Sequence, residues 1–153
     1  MQSTDLFQFE FDADNRILHL SYRSVVYIKT EEQLRLLMHS FSEYLRSHFG
    51  TERIYIVINM SRLIIEPELS RLYGQLAGEI SDAFTYPNGI ARYGHQITRI
   101  TVRRGYTEYR REDPNLFGTR IEAESFLRSL SGRTRMESPE QPIAVTPEKF
   151  SVD

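Results

Sequence analysis

Arg53-Ile-Tyr-Ile-Val-Ile-Asn59 is the most strand-like run in this chain, and Met60-Ser-Arg-Leu-Ile-Ile-Glu-Pro67 follows it at once. Five of the first seven residues are apolar or aromatic and four are β-branched. That composition suits a strand covered on both faces, in the middle of a sheet with helices packed against it. An asparagine at the strand's end, a short loop and a proline at a first helical position complete a strand–loop–helix unit. In open α/β sheets, ligands and partners dock at such edges.

Working outward, Phe7, Phe9 and Phe11 alternate with polar residues and read as a half-buried strand. A turn at Asp12-Ala-Asp-Asn15 leads to a second strand over residues 17–22, which makes a hairpin, and residues 24–29 stay extended. Thr30-Glu-Glu-Gln33 is a capping box. The helix it opens places Leu34, Leu37, Met38, Phe41, Leu45 and His48 or Phe49 on one stripe and stops at Gly50. After the central strand, Leu69, Leu72, Tyr73, Leu76, Ala77 and Ile80 form the stripe of a second helix beginning near Pro67. Gly74 and Gly78 sit one turn apart inside it and imply a close backbone approach to another element, because glycine costs roughly 0.8–1 kcal/mol in a helix interior.

Thr85-Tyr-Pro-Asn-Gly89 reads as a break, and residues 86–96 as a helix-to-strand loop. Residues 97–103 read as a strand, with Ile100 and Val102 on one face and Arg99, Thr101 and Arg103 on the other. Leu116-Phe117 adds a short edge strand, and Thr119-Arg-Ile-Glu122 is a second capping box before a helix with Ala123, Phe126, Leu127 and Leu130 inward. The expected organisation is a domain over 1–130 and a disordered tail over 131–153, rich in Ser, Pro, Glu and Thr. The fold class is α/β, a mixed sheet of four to five strands with helices, since helical crossovers between strands demand at least one parallel pair.

Order and phrasing together resemble the STAS and SpoIIAA-like family, the anti-sigma-factor antagonist fold. The resemblance rests on residues 54–63, a strand ending in Asn59 and a short loop before a helix, and on Leu116-Phe-Gly-Thr-Arg-Ile-Glu-Ala-Glu-Ser-Phe-Leu127 as the closing helix. It covers about residues 5–130 and implies a regulatory module without a cofactor that docks a protein partner through the loop 59–67 and the helix 67–84. The family's phosphorylated serine lies in an Asp-Ser-Ser-Gly-like motif at that helix start. Here the segment reads Ile65-Glu-Pro-Glu-Leu-Ser70, so the phosphoswitch does not carry over. The implied docking residues are Asn59, Ser61, Arg62, Leu63, Ile64, Ile65, Glu66 and Glu68. Three consecutive apolar residues in a loop are either core plugs or an interaction patch.

Composition narrows the alternatives. The chain has no cysteine, which removes disulfides, thiolate metal sites and cysteine nucleophiles. Its four histidines are scattered without metal-ligand spacing, and no nucleophile elbow is present, so no metal and no catalytic residue is assigned. The first residues lack a secretory signal and no apolar stretch approaches membrane-spanning length, which gives a soluble, cytoplasmic expectation with no membrane partner. Charge is uneven: residues 1–91 carry a net −4, residues 92–120 a net +4 and residues 121–153 a net −2. Arg92, Arg99, Arg103, Arg104, Arg110, Arg111 and Arg120, interleaved with tyrosines, raise the alternative of a nucleotide- or phosphate-binding domain, with Arg92, His95, Arg99 and Arg103 as the anion ligands. A sequence pI of 6.1 speaks against nucleic acid. Homo-oligomers remain compatible with every one of these features.

Overall fold

A computed structural model describes residues 6–94, 96–110 and 114–137. Strands β1 (Phe7–Asp12) and β2 (Ile17–Tyr22) form the expected hairpin, and β3 (Val26–Ile28) follows. Helix α1 (Glu31–Phe49) leads to β4 (Ile54–Asn59) and the short β5 (Leu63–Ile65). A 3-10 turn at Pro67–Leu69 precedes α2 (Ser70–Phe84), which runs into β6 (Thr85–Tyr93). Then come α3 (Gln96–Gly105), a π turn over Tyr106–Arg110, β7 (Leu116–Phe117) and α4 (Arg120–Glu137).

The main sheet has the order β1-β2-β4-β6-β7. The β1–β2 pair is antiparallel and every other pair is parallel, so the sheet is mixed, with β4 at its centre. Its alternating side chains explain that place. Ile54, Ile56 and Ile58 enter the larger core with α1 and α2, while Tyr55 and Val57 enter a second core against α4. A strand without a polar face is stable only between two helical layers.

Local chemistry sets the helix ends as expected. The Gln33 N–H donates to Thr30 Oγ1 at 3.1 Å and the Thr30 N–H to Gln33 Oε1 at 3.2 Å. Thr119 and Glu122 repeat the reciprocal pattern at 3.1 and 3.3 Å. Gly50 ends α1 with φ +60°. The Gly74 expectation holds too: a Cβ there would lie 2.4 Å from the Gly105 carbonyl oxygen, so α2 and α3 touch backbone to backbone.

Three expectations need correction. Residues 97–103 are helical, not a strand. The inward positions are Thr98, Thr101, Val102 and Gly105, spaced as a helix requires, and the threonines disguise that stripe as polar. The supposed loop 86–96 is in large part β6, which absorbs Pro87-Asn-Gly89 through a register shift opposite Ile54–Ile56, with Asn88 at φ +62°. Finally, α4 continues to Glu137, so residues 131–137 are helix rather than tail, and Ser131 is buried with its hydroxyl donating to the Asn15 carbonyl at 3.1 Å. The rest of the supposed tail lies outside the described residues. Among the described residues, no helix is long and apolar enough to cross a membrane.

Candidate functional site

Two strands overrun the end of the parallel sheet. Beyond the ends of β2 and β4, β3 and β5 pair with each other, parallel, with Tyr27 opposite Ile64. This small sheet stands at the C-terminal ends of β2 and β4, where the strand–loop–helix unit was expected to work. The corner is tightly built. Asn59 Oδ1 accepts the Ser61 N–H at 2.9 Å, a side-chain turn that reverses the chain. Gly94, at φ +117°, lets the backbone of β6 pass against Ser61, where a Cβ would come within 2.8 Å of the Ser61 nitrogen. The Arg62 guanidinium spans to the Arg23 and Tyr22 carbonyls at 2.6 and 3.3 Å, tying the two bends together.

The small sheet has two different edges. The Val26 N–H donates to the Arg62 carbonyl at 2.7 Å and the Glu66 N–H to the Ile28 carbonyl at 3.0 Å, so residues 26 and 28 face β5. Leu63 and Ile65 turn their carbonyls the other way, toward α3. There Thr98 Oγ1 donates to Leu63 at 2.5 Å and Thr101 Oγ1 to Ile65 at 3.4 Å. Helix α3 thus closes the β5 edge. The outer edge, at Tyr27, is covered by no strand among the described residues. Such an edge offers backbone donors and acceptors to another chain.

Side chains sort by face. Ile28, Leu63 and Ile65 point into the core, at 4%, 2% and 1% exposure. Leu63 and Ile65 are therefore core plugs, which removes them from the expected docking set: parallel pairing with β3 turns alternate residues of 63–65 inward. Ile64 is half-buried beside Tyr27, which is 47% exposed. The Tyr27 hydroxyl donates to Glu66, and that bond raises the phenol's pKa above its ordinary value. Lys29 Nζ lies 4.9 Å over the Tyr27 ring. Ser61, Arg62 and Glu68 are exposed, and Asn59 and Glu66 are partly covered. Tyr27 was not singled out in the sequence, although its alternation with Val26 and Ile28 marks it as outward-facing.

The arginine alternative fares differently. Arg92 is 1% exposed. Its Nε donates to the Tyr73 hydroxyl at 3.0 Å, Nη2 to the Tyr106 hydroxyl at 3.0 Å and Nη1 to the Pro114 carbonyl at 3.1 Å. Arg103 is exposed on α3 and Arg99 is partly covered, so the structure places them and Arg92 on no common surface. After the register shift in β6, Ile90 and Arg92 face the α2 side while Ala91 and Tyr93 face α4, which is why Arg92 points inward. Arg120 pairs with Glu10 at 3.0 Å and Glu124 at 2.7 Å instead of joining the group. His95 lies outside the described residues. No group of His, Asp and Glu that could hold a metal occurs among the described residues.

A further buried polar pair lies on the α4 face. His19 Nε2 and the Tyr93 hydroxyl share a 2.7 Å hydrogen bond, and burial, followed by the nearby Arg120 charge, pushes the imidazole's pKa down.

Comparison with known proteins adds one solved relative in shape. The chain is similar to the structure of the anti-sigma factor antagonist SpoIIAA in its unphosphorylated form, with 13% sequence identity and a TM-score of 0.46, over 81% of this chain and 97% of that one. No protein-family model matches the chain, and no curated protein matches it either.

Proposed function

We propose that this chain is a non-enzymatic regulatory module that docks a protein partner at the β3–β5 corner and the adjoining exposed side of α2. One observation carries the reading: the small sheet has one edge closed by two threonine hydroxyls and one edge that no strand among the described residues covers, with Tyr27 and Ile64 side by side on its outer face. An extended segment of a partner adds to such an edge through main-chain hydrogen bonds and gains selectivity from alternate side chains. Here an apolar partner residue would cover Tyr27 and Ile64, and a basic flank would meet Glu66 and Glu68. Asn59, Ser61 and Arg62 shape the corner rather than supply most of the contact. Leu63 and Ile65 support it from beneath.

The test is quantitative affinity capture from the source cell, comparing the wild type with Tyr27→Ala, Ile64→Asp and, on the far side of α1, Leu36→Ser. A specific partner should be retained by the wild type and Leu36→Ser and lost from the other two, all four proteins having the same far-UV circular dichroism. Equal capture by all variants, or capture of nothing specific, contradicts the proposal. Native mass measurement in the micromolar range distinguishes a foreign partner from a second copy of this chain at the same edge.

A further inference from the structure

Strand β1 forms one margin of the main sheet, with β2 as its neighbour. Its ladder to β2 fixes which backbone groups point away from the sheet. The pairing sets Phe7 opposite Tyr22, and one step further the Arg23 N–H donates to the Leu6 carbonyl at 3.0 Å. In an antiparallel ladder, hydrogen-bonded and non-hydrogen-bonded pairs alternate. Gln8 and Glu10 therefore bond to β2, while the N–H and C=O groups of Phe7, Phe9 and Phe11 face outward. An independent contact agrees: the Phe7 carbonyl accepts Arg23 Nε at 2.9 Å from outside the ladder. Among the described residues, the outward backbone groups of Phe9 and Phe11 have no partner. Exposed edges are commonly blunted by proline, lysine or a bulge, and β1 has none of these.

The side chains repeat about Phe9. Read outward from it in either direction, the segment gives a polar residue and then a phenylalanine. On one face Phe7 is buried, Phe9 stacks on Tyr44 with ring centroids 3.6 Å apart, and Phe11 lies 40% exposed beside Phe49. On the other face Gln8 and Glu10 are both exposed. A segment with that symmetry complements itself across a two-fold axis, the commonest symmetry of homo-oligomers.

Charge selects the register. With the axis at Phe9, Phe9 meets its own copy, Phe7 meets Phe11, and the Gln8 amide can donate to the Glu10 carboxylate. An axis at Glu10 would oppose two Glu10 carboxylates, and one at Phe11 would set Glu10 against Asp12. Like charges directly opposite are destabilising. An axis at Gln8 would leave the exposed Phe11 beyond the paired segment.

We infer that two copies of this chain pair antiparallel through β1, with the two-fold axis at Phe9, and join their five-stranded sheets into one continuous sheet. The Phe9 N–H and carbonyl exchange hydrogen bonds with their counterparts, and the Phe7 and Phe11 groups extend the ladder on either side. The Phe7 carbonyl has a second lone pair for this beside the one that Arg23 takes. The β3 edge plays no part, so this pairing is independent of the partner docking proposed above.

Sedimentation velocity of the full chain, from micromolar to sub-millimolar concentration, should show a reversible monomer–dimer equilibrium. Gln8 is exposed, so its replacements keep the fold. Gln8→Lys faces Glu10 of the second copy and should tighten the dimer, whereas Gln8→Glu should loosen it, each by about three- to tenfold in Kd from two cross-strand pairs. The chain has no cysteine, so single cysteines report the register. A mixture of Gln8→Cys and Glu10→Cys chains under oxidised glutathione should form an intermolecular disulfide at least about tenfold faster than either variant alone, because the bond needs close, aligned Cβ atoms. Ile64→Asp, at the β3 edge, should leave the dimer unchanged. The inference is overturned if the chain stays monomeric, if the two charged Gln8 variants do not move Kd in opposite directions, or if the mixed cysteines react no faster than the single ones. A dimer lost in Ile64→Asp and indifferent to Gln8 would lie at the β3 edge and overturns it equally. So does a monomer whose Phe9 and Phe11 amides resist hydrogen exchange, since its own chain would then fill the edge.

Discussion

His19 sits below a network in which Arg120 pairs with both Glu10 and Glu124, and its imidazole pKa is lowered from an ordinary 6.5 first by burial. The unfolded chain therefore takes up a proton near pH 6.5 that the folded chain accepts only at lower pH. Stability fully present above that value should fall as the pH drops through it. Urea midpoints measured from about pH 7.5 to 5.5 should show this decline, and His19→Gln, which cannot titrate there, should flatten it. Glu10 and Asp12, both held below their usual values by hydrogen bonds to Arg120 and Asn15, lose their contributions in a separate window at lower pH. An unchanged profile in His19→Gln would assign the decline elsewhere. Gly74 makes a second single-residue case. An added methyl group at this position meets the Gly105 backbone, which cannot swing aside as a side chain would. Gly74→Ala should cost about 1–3 kcal/mol in chemical denaturation despite alanine's better helix propensity.

Helix α3 shows how an element can be misread and still be indispensable. Its buried face is made of two threonines, a valine and a glycine, so a periodicity count that scores threonine as polar finds strand-like alternation in residues 97–103 instead. The threonines face inward because the β5 carbonyls need donors, a requirement visible only once β5 is in place. Thr98→Val keeps the shape and removes the hydroxyl, leaving the buried Leu63 carbonyl without its 2.5 Å partner. A loss of about 1–3 kcal/mol in unfolding free energy is expected. Elements whose signals are local were legible: β4 from its continuous apolar run, α1 and α4 from their capping boxes, β1–β2 from alternation around a turn. The corner over residues 59–67 was legible as a turn out of β4 and not in its detail. Leu63-Ile-Ile65 gives no hint in sequence of which members point outward, because that follows from pairing with β3, a strand of only three residues. Arg92 likewise looked like part of a basic cluster until the pleat of β6 turned it toward Tyr73 and Tyr106.

Across the molecule, the central sheet is finished on its two faces and extended at one end. Helices α1 and α2 cover one side, α4 covers the other, and the β3–β5 pair carries a strand edge, uncovered among the described residues, past the C-terminal ends of β2 and β4. In the proposed function the layers supply rigidity and the corner supplies the docking surface. In-cell photo-crosslinking tests that division of labour most directly, with a benzophenone amino acid placed at position 27 and, for comparison, at positions 36 and 100 on exposed points of α1 and α3. A discrete crosslinked protein is expected from position 27, lost when Ile64→Asp is added, and none from the other two positions. Crosslinks of equal intensity at all three positions, or none at position 27 under conditions where the chain is folded, would contradict it.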